Sequence, residues 1–530
     1  MLDYLIVGAG FAGLSLSYRL REAGYTVEVL EAGNDVGGTW YWNRYPGAYC
    51  DVESLEYQLG FPRFLPQEWR WQGKFASQGE IERYLQYVAD RLGLRSLIRF
   101  GQFVDRAHWD EANLRWKVST RQGLEKVSRN LVFATGCLSK AQFPQIPGLD
   151  RFKGQLLHTG AWPRSGVEFA GKRVAVIGTG SSGVQVIPEI AKSAERLFVF
   201  QRTPNYVLPI RNAPITDEEL SSRRKSFDAE RAAAFRLPAG VAVEAPLDRS
   251  DPALTPQRIE AELERRWSQG NAFNFLSIFP DVFLNLDSNR IIADFFRKKI
   301  GQIVTDPELF RKIVPQDYPI GAKRLCLGMH YYDALISPRV EVVDISGGGI
   351  SSITESAIEV AETTYPVDAI VFATGFDAIT GALAQIDVEA NGRRLKEAWA
   401  QGAHAYLGVL VSGFPNLFLV TGPNSPSVFG NVVVAIEQHV EWILRFADWR
   451  REKGFERVEV AEATQQQWRA HVNDLASTSI FAKTKTRSWY MGDNVPGKPR
   501  EFLPYIGGFG AFQEICDATA EQGYPGIRAT

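Results

Sequence analysis

The first apolar run, Leu2 to Val7, is rich in strand-forming residues and stops at a glycine. An amphipathic stretch, LSLSYRLREAG from Leu14 to Gly24, has helical spacing. Thr26 to Leu30 then reads as a second strand, closed by Glu31. The same order returns later. Arg173 to Ile177 predicts a strand, Val184 to Ala191 a helix, and Arg196 to Phe200 another strand. Two further apolar runs, Leu131-Val-Phe-Ala-Thr-Gly136 and Ile370-Val-Phe-Ala-Thr-Gly375, each end in a small-residue turn. From Ala213 to Pro315 the texture changes to charged helical periods without a glycine motif. Thr216 with Glu219 predicts a capping box, and Thr255 with Pro256 a second helix start.

The segments that join strand to helix carry the first chemistry. They read Gly8-Ala-Gly10-Phe-Ala12-Gly13 and Gly178-Thr179-Gly180-Ser181-Ser182-Gly183. In a strand–loop–helix unit the first glycine permits the tight turn and the second lets a pyrophosphate approach the backbone. The third lets helix pack on strand, and the helix N-terminus faces the phosphates. Glu31 can accept ribose hydroxyls. In the second unit Gln201-Arg202-Thr203 replaces that acid. Arg202 would pair with a 2′-phosphate that an acid would repel, so this site predicts NADPH. The pattern predicts an α/β chain with two Rossmann-like dinucleotide-binding domains, the second set within the first, and an α-helical insertion. The expected division is 1–145 with 380–530, 146–212 with 336–379, and 213–335 for the insertion.

Composition removes several classes. At 530 residues the chain exceeds one ordinary core, and its net charge of -2 argues against nucleic-acid binding. Cys50, Cys137, Cys326 and Cys516 form no CxxC pair, which points away from dithiol redox chemistry and towards a reducing, cytoplasmic setting. There is no metal-ligand spacing among the histidines and no nucleophile elbow. No secretory signal or membrane-length apolar run is evident, so a soluble monomer or weak homo-oligomer is expected.

One segment does not fit a plain connector: Phe152-x-Gly154-x-x-x-His158-x-x-x-Trp162-Pro163. It resembles the fingerprint of Baeyer–Villiger monooxygenases, class B flavoproteins. GGTWYWNRYPGAYCD (Gly37 to Asp51), KRL (Lys323 to Leu325), ATGFDAITGAL (Ala373 to Leu383) and SWYMGDNVPGK (Ser488 to Lys498) match the same family. The likeness spans nearly the whole chain and is similar to the phenylacetone and steroid monooxygenase branch. It implies FAD on the first fold, NADPH on the second, and conversion of ketones to esters or lactones with O2 through a flavin peroxide. An N- or S-oxygenating flavin monooxygenase is the alternative, against which the Trp162-Pro163 pair speaks. A catalytically retired binding module is the third, disfavoured because every charged site residue is intact.

The resemblance also assigns residues. Arg324 would supply the fixed positive charge, and Asp51 would orient it. Gly38, Thr39, Trp40, Asp51, Tyr57, Val104 and Val432 fall on FAD positions; Lys323, Arg324 and Trp489 fall on NADP positions. The loop before Val432 would border the substrate, and its helix would face the flavin ring. The His158 segment would act as a hinge between domains, with a packed linker as the alternative.

Overall fold

A computed structural model describes residues 1–530. Its framework is two sheets built to one plan. In the first, the parallel strands lie in the order Ile98–Arg99, Val27–Leu30, Leu2–Val7, Glu125–Phe133, Leu417–Leu419. In the second the order is Val340–Asp344, Arg196–Gln201, Arg173–Ile177, Ala369–Phe372, Gln155–His158, again all parallel. The central strands are buried on both faces, which is why they read as unbroken apolar runs. The first sheet is extended by an antiparallel meander through Val104–Asp110 and Arg115–Thr120.

The two glycine loops are conformational copies. Gly8 and Gly178 take φ of +107° and +108°, and a Cβ on either would lie 2.5 Å from the carbonyl oxygen of Ala134 or Ala373 respectively. A Cβ on Gly13 would lie 1.8 Å from the Gly8 oxygen, and one on Gly183 2.2 Å from the Gly178 oxygen. The first and third glycines are therefore steric requirements of the fold. The two Ala-Thr-Gly turns recur because each passes directly beneath one of these loops.

The fifth strand has a different origin in the two sheets. Leu417–Leu419 comes from the C-terminal part of the chain, whereas Gln155–His158 precedes the sheet it joins. The His158 segment is thus an edge strand paired with Ala369–Phe372, with His158 opposite Phe372, a pairing that the sequence does not predict. Gly154 is required there, because a Cβ would meet the Asp368 carbonyl oxygen at 2.4 Å and the Phe152 ring at 2.5 Å.

The insertion is helical, through Asp217–Ala234, Pro256–Gln269, Ala272–Leu276, Leu286–Ile303 and Pro307–Ile313. Thr216 accepts the Glu219 N–H (3.1 Å) and Thr255 the Arg258 N–H (3.3 Å), as the capping signals require. Its base is closed by parallel pairing of Val207–Pro209 with Cys326–Gly328, two strands the sequence reading does not contain. Helix Val432–Lys453 packs along helix Phe11–Glu22, burying Trp442 and Phe446 in the core of the first fold.

Candidate active site

Both glycine-loop helices start on a glycine, Gly10 and Gly180, without a side-chain cap, so their first N–H groups face outward. Gly10 faces Gly38, and a Cβ on Gly10 would stand 3.2 Å from the Gly38 Cα. Two opposed glycines leave a slot narrow enough for a pyrophosphate. Glu31 is buried beside it and accepts N–H bonds from Ala9 (2.6 Å) and Gly33 (2.7 Å); burial raises its pKa, and these bonds pull it back. Thr39 and Trp40 open the short helix after Gly38, and Trp40 donates its indole N–H to the Tyr57 hydroxyl at 3.2 Å. Val104 starts its strand with its side chain buried, leaving only backbone to present. Val432 opens its helix after Asn431, which caps the Val433 N–H at 3.1 Å. This half fits FAD.

At the second loop a Cβ on Gly180 would meet nothing within 4 Å, so the loop forms an open cradle ahead of Ser181 and Ser182. Thr179 donates to the Thr203 carbonyl (3.4 Å), tying the loop to the turn that carries Arg202. Arg202 is exposed. Lys323 has its pKa pushed down to about 8, first by burial and then by the like charge of Arg202. Two cations drawn together beside a dinucleotide cradle fit a 2′-phosphate.

Arg324 follows Lys323 and sits where these parts meet. It forms a two-bond pair with Asp51, Nε to Oδ2 and an Nη2–Oδ1 bond of 2.9 Å, and its Nη1 donates to the Val428 carbonyl at 2.8 Å. Its guanidinium lies over the Phe273 ring, 5.8 Å from the centroid. Burial works against its charge, but Asp51 and the neighbouring Tyr490 phenol together offset that, and the net effect raises its pKa. Two residues on, the Cys326 thiol lies 3.5 Å from the Ser181 hydroxyl at the head of the second loop's helix. Arg324 is thus bonded to the first fold through Asp51, stands beside the second loop, and reaches the turn before Val432.

His158 is buried at the end of its strand. Its Nδ1 accepts the Gly160 N–H (2.9 Å), and its Nε2 faces the Gln142 carbonyl (3.3 Å) and the Thr374 hydroxyl (3.4 Å). Burial lowers its pKa to about 4, so it is neutral at ordinary pH. Thr374 also donates to the Gln142 carbonyl at 2.6 Å. The ring therefore joins the chain leaving the first sheet to the second Ala-Thr-Gly turn. Phe152 and Trp162 are buried in two different clusters, and Pro163 is half-buried next to Trp162. Trp489 is half-buried in a short turn, Trp489–Met491. Its loop lies on the ATGFD segment through Asn494 to the Phe376 carbonyl (2.9 Å) and a Lys498–Asp377 ion pair.

Four further residues enter the site without a signal of their own in the sequence: Val428, Phe273, Gln142 and Tyr490, whose buried phenol lies beside Arg324. Val428 and Gln142 act through carbonyl oxygens, for which no residue type is a signal. Phe273 comes from the insertion, and only folding brings it to the guanidinium.

The flavin-binding monooxygenase-like family model matches residues 3–218. The chain is 37% identical to acetone monooxygenase (methyl acetate-forming) of Gordonia sp. (strain TY-5), over 99% of this chain and 98% of that protein. It is 36% identical to a Baeyer–Villiger monooxygenase of Pseudooceanicola batsensis, over 99% and 96%. The chain belongs to the Baeyer–Villiger monooxygenases. Oxidised steroid monooxygenase bound to NADP superposes with a TM-score of 0.93 at 42% identity, covering 100% of this chain and 99% of that one. The relatives also include a phenazine N-monooxygenase of Lysobacter antibioticus, 35% identical over 99% of this chain and 96% of that protein.

Proposed function

We propose that the protein is an NADPH- and O2-dependent monooxygenase that converts ketones to esters or lactones. The observation that carries the reading is the placement of Arg324 between the two glycine-loop folds, with its charge held by Asp51. FAD, when bound, supplies the hydride acceptor and the centre at which oxygen is activated. Gly8, Gly10, Ala12, Gly13, Glu31, Gly38, Thr39, Trp40, Tyr57, Val104 and Val432 would hold it. Gly178 to Gly183, Arg202, Thr203, Lys323 and Trp489 would hold NADPH.

The chain's own contribution is charge and exclusion. Arg324 presents a permanent cation to the negative charge that grows on the substrate carbonyl oxygen. Asp51 keeps the guanidinium plane fixed, so no reorganisation is needed when that charge forms. Phe273 lies under the Arg324 guanidinium, and Phe429, next to Val428, packs on Tyr490 of the Trp489–Met491 turn with ring centroids 5.5 Å apart, apolar surfaces suited to a site from which water must be excluded. The division into domains at 145, 212, 335 and 379 is part of this reading, supported by the two sheets falling on either side of those limits. No helix is long and apolar enough to cross a membrane, and four free, buried cysteines support a cytoplasmic setting.

The test is purified protein with NADPH, against cyclic, aryl and long-chain ketones, scoring ester mass and NADPH consumed. Ketone-stimulated consumption with an ester gaining one oxygen is expected. Nitrogen oxidation is a second reading, favoured by the phenazine-oxidising relative. No ester from any ketone, with oxygen transferred to a ring nitrogen of an aromatic heterocycle such as phenazine, would replace the first reading with it.

A further inference from the structure

The segment that carries Tyr57 is held by an ion pair inside the protein. Glu437, on helix Val432–Lys453, is 3% exposed, and Arg231, on the insertion helix Asp217–Ala234, is 10% exposed; their closest approach is 3.7 Å. Between them passes Gly60. A Cβ there would stand 3.1 Å from Arg231 Nε and 3.1 Å from Glu437 Oε2, so the glycine admits the pair. The Gly60 N–H donates to Glu437 Oε1 at 2.6 Å.

The guanidinium does more than neutralise. Its Nη2 donates to the Gln58 carbonyl and, at 3.4 Å, to the Glu56 carbonyl, the two residues that flank Tyr57. The Glu56 carbonyl also receives Asn431 Nδ2 at 3.0 Å, and Asn431 caps the helix that bears Glu437. One cation from the insertion thus ties the Tyr57 segment to the first turns of that helix. Removing one partner of a buried pair leaves the other uncompensated, which costs far more than the pair contributes.

We propose that Arg231 is a positioning residue for the flavin, clamping Tyr57 and the start of helix Val432–Lys453 into one unit by pairing with Glu437 across Gly60. The proposal rests on the reading that Tyr57 and Val432 border FAD. It is tested on the full chain with Arg231→Lys, Arg231→Met and the doubly neutral Arg231→Met/Glu437→Gln. Each is read by FAD dissociation constant, flavin absorption spectrum and circular dichroism.

Arg231→Met should keep native secondary structure, bind FAD at least tenfold more weakly and shift the flavin spectrum. Arg231→Lys should recover part of the affinity, because it restores the charge but not the two carbonyl bonds. Should Arg231→Met fail to fold, the double variant decides: folded protein with weakened FAD binding is expected, since neutrality returns without the clamp. An unfolded double variant, or an Arg231→Met protein with parental FAD affinity and spectrum, overturns the proposal. Parental protein that binds no FAD would instead overturn the functional reading itself.

Discussion

Lys323 gives the coenzyme site a pH dependence that can be worked through. In the free protein its ammonium has a pKa of about 8, because it is buried and because Arg202 is near. A 2′-phosphate is doubly charged above a pH of about 6–7, so between pH 7 and 9.5 only the lysine changes state. Binding needs the protonated form, so affinity for NADP+ is full below the free-protein pKa and falls as pH rises through it. At pH 9 about one molecule in eleven keeps the charge, which weakens binding roughly tenfold relative to pH 7. The ceiling is the value of a charged hydrogen bond, about 1.5–3 kcal/mol or roughly 10–150-fold. Titration calorimetry of NADP+ and NAD+ from pH 7 to 9.5 measures this directly. The NADP+ constant should climb while the NAD+ constant stays level. Lys323→Met should remove the slope and give the weak constant at every pH. Arg202→Ala should weaken NADP+ binding at pH 7 but move the slope to higher pH, because it removes a like charge that depresses the lysine. Parallel profiles for the two coenzymes would refute the assignment of Lys323, and equal constants for the two at pH 7 would refute that of Arg202.

Arg324→Ala should still oxidise NADPH and release hydrogen peroxide, with ester formation down about 10²–10³-fold; ester per NADPH near the parental yield would mean that another group carries the charge. Gly180→Ala should fold normally and lose NADPH affinity, since its Cβ points into the open cradle, whereas Gly13→Ala should lose thermal stability because its Cβ meets the Gly8 oxygen. A melting scan and a coenzyme titration on both variants separate the two roles. His158→Ala should slow turnover while leaving FAD bound and the product unchanged, which stopped-flow reduction traces can check. Because the folded pKa of His158 is about 4 and the free value 6.5, the unfolded chain binds the extra proton first. Its contribution to stability is therefore complete above pH 6.5 and drains away as pH falls towards 4, by up to about 3 kcal/mol. Acid unfolding of His158→Ala should be shallower over that window.

Short-range patterns carry far in this chain. Each strand–glycine–helix unit is local in sequence, and its three glycines are needed for reasons confined to a dozen residues and the turn beneath. That is why Gly8, Gly13, Gly178 and Gly183 could be assigned roles from spacing alone, and why the capping threonines of the insertion stand where expected. Arg202 stands out in the sequence because it occupies the position an acid would hold.

What the pattern could not carry is adjacency between distant segments. Asp51 and Arg324 are 273 positions apart, so local pattern does not join them and only the family resemblance pairs them; Arg231 and Glu437, on helices from different parts of the chain, are joined by neither. An isolated Asp or Arg in sequence is most simply a solvated surface charge. Only burial beside a counter-ion makes it a site, and burial is a property of the packed whole. The Gln155–His158 segment shows the same limit from the other side. Its four residues could serve equally as a connector or as an edge strand, and hydrogen bonding to Ala369–Phe372, more than 200 residues away, decided between them. Sequence alone determined the two nucleotide loops and their polarity, because backbone sterics act locally. The tertiary structure decided where Arg324 stands and what holds it besides Asp51, because electrostatic pairing acts across space without regard to chain order.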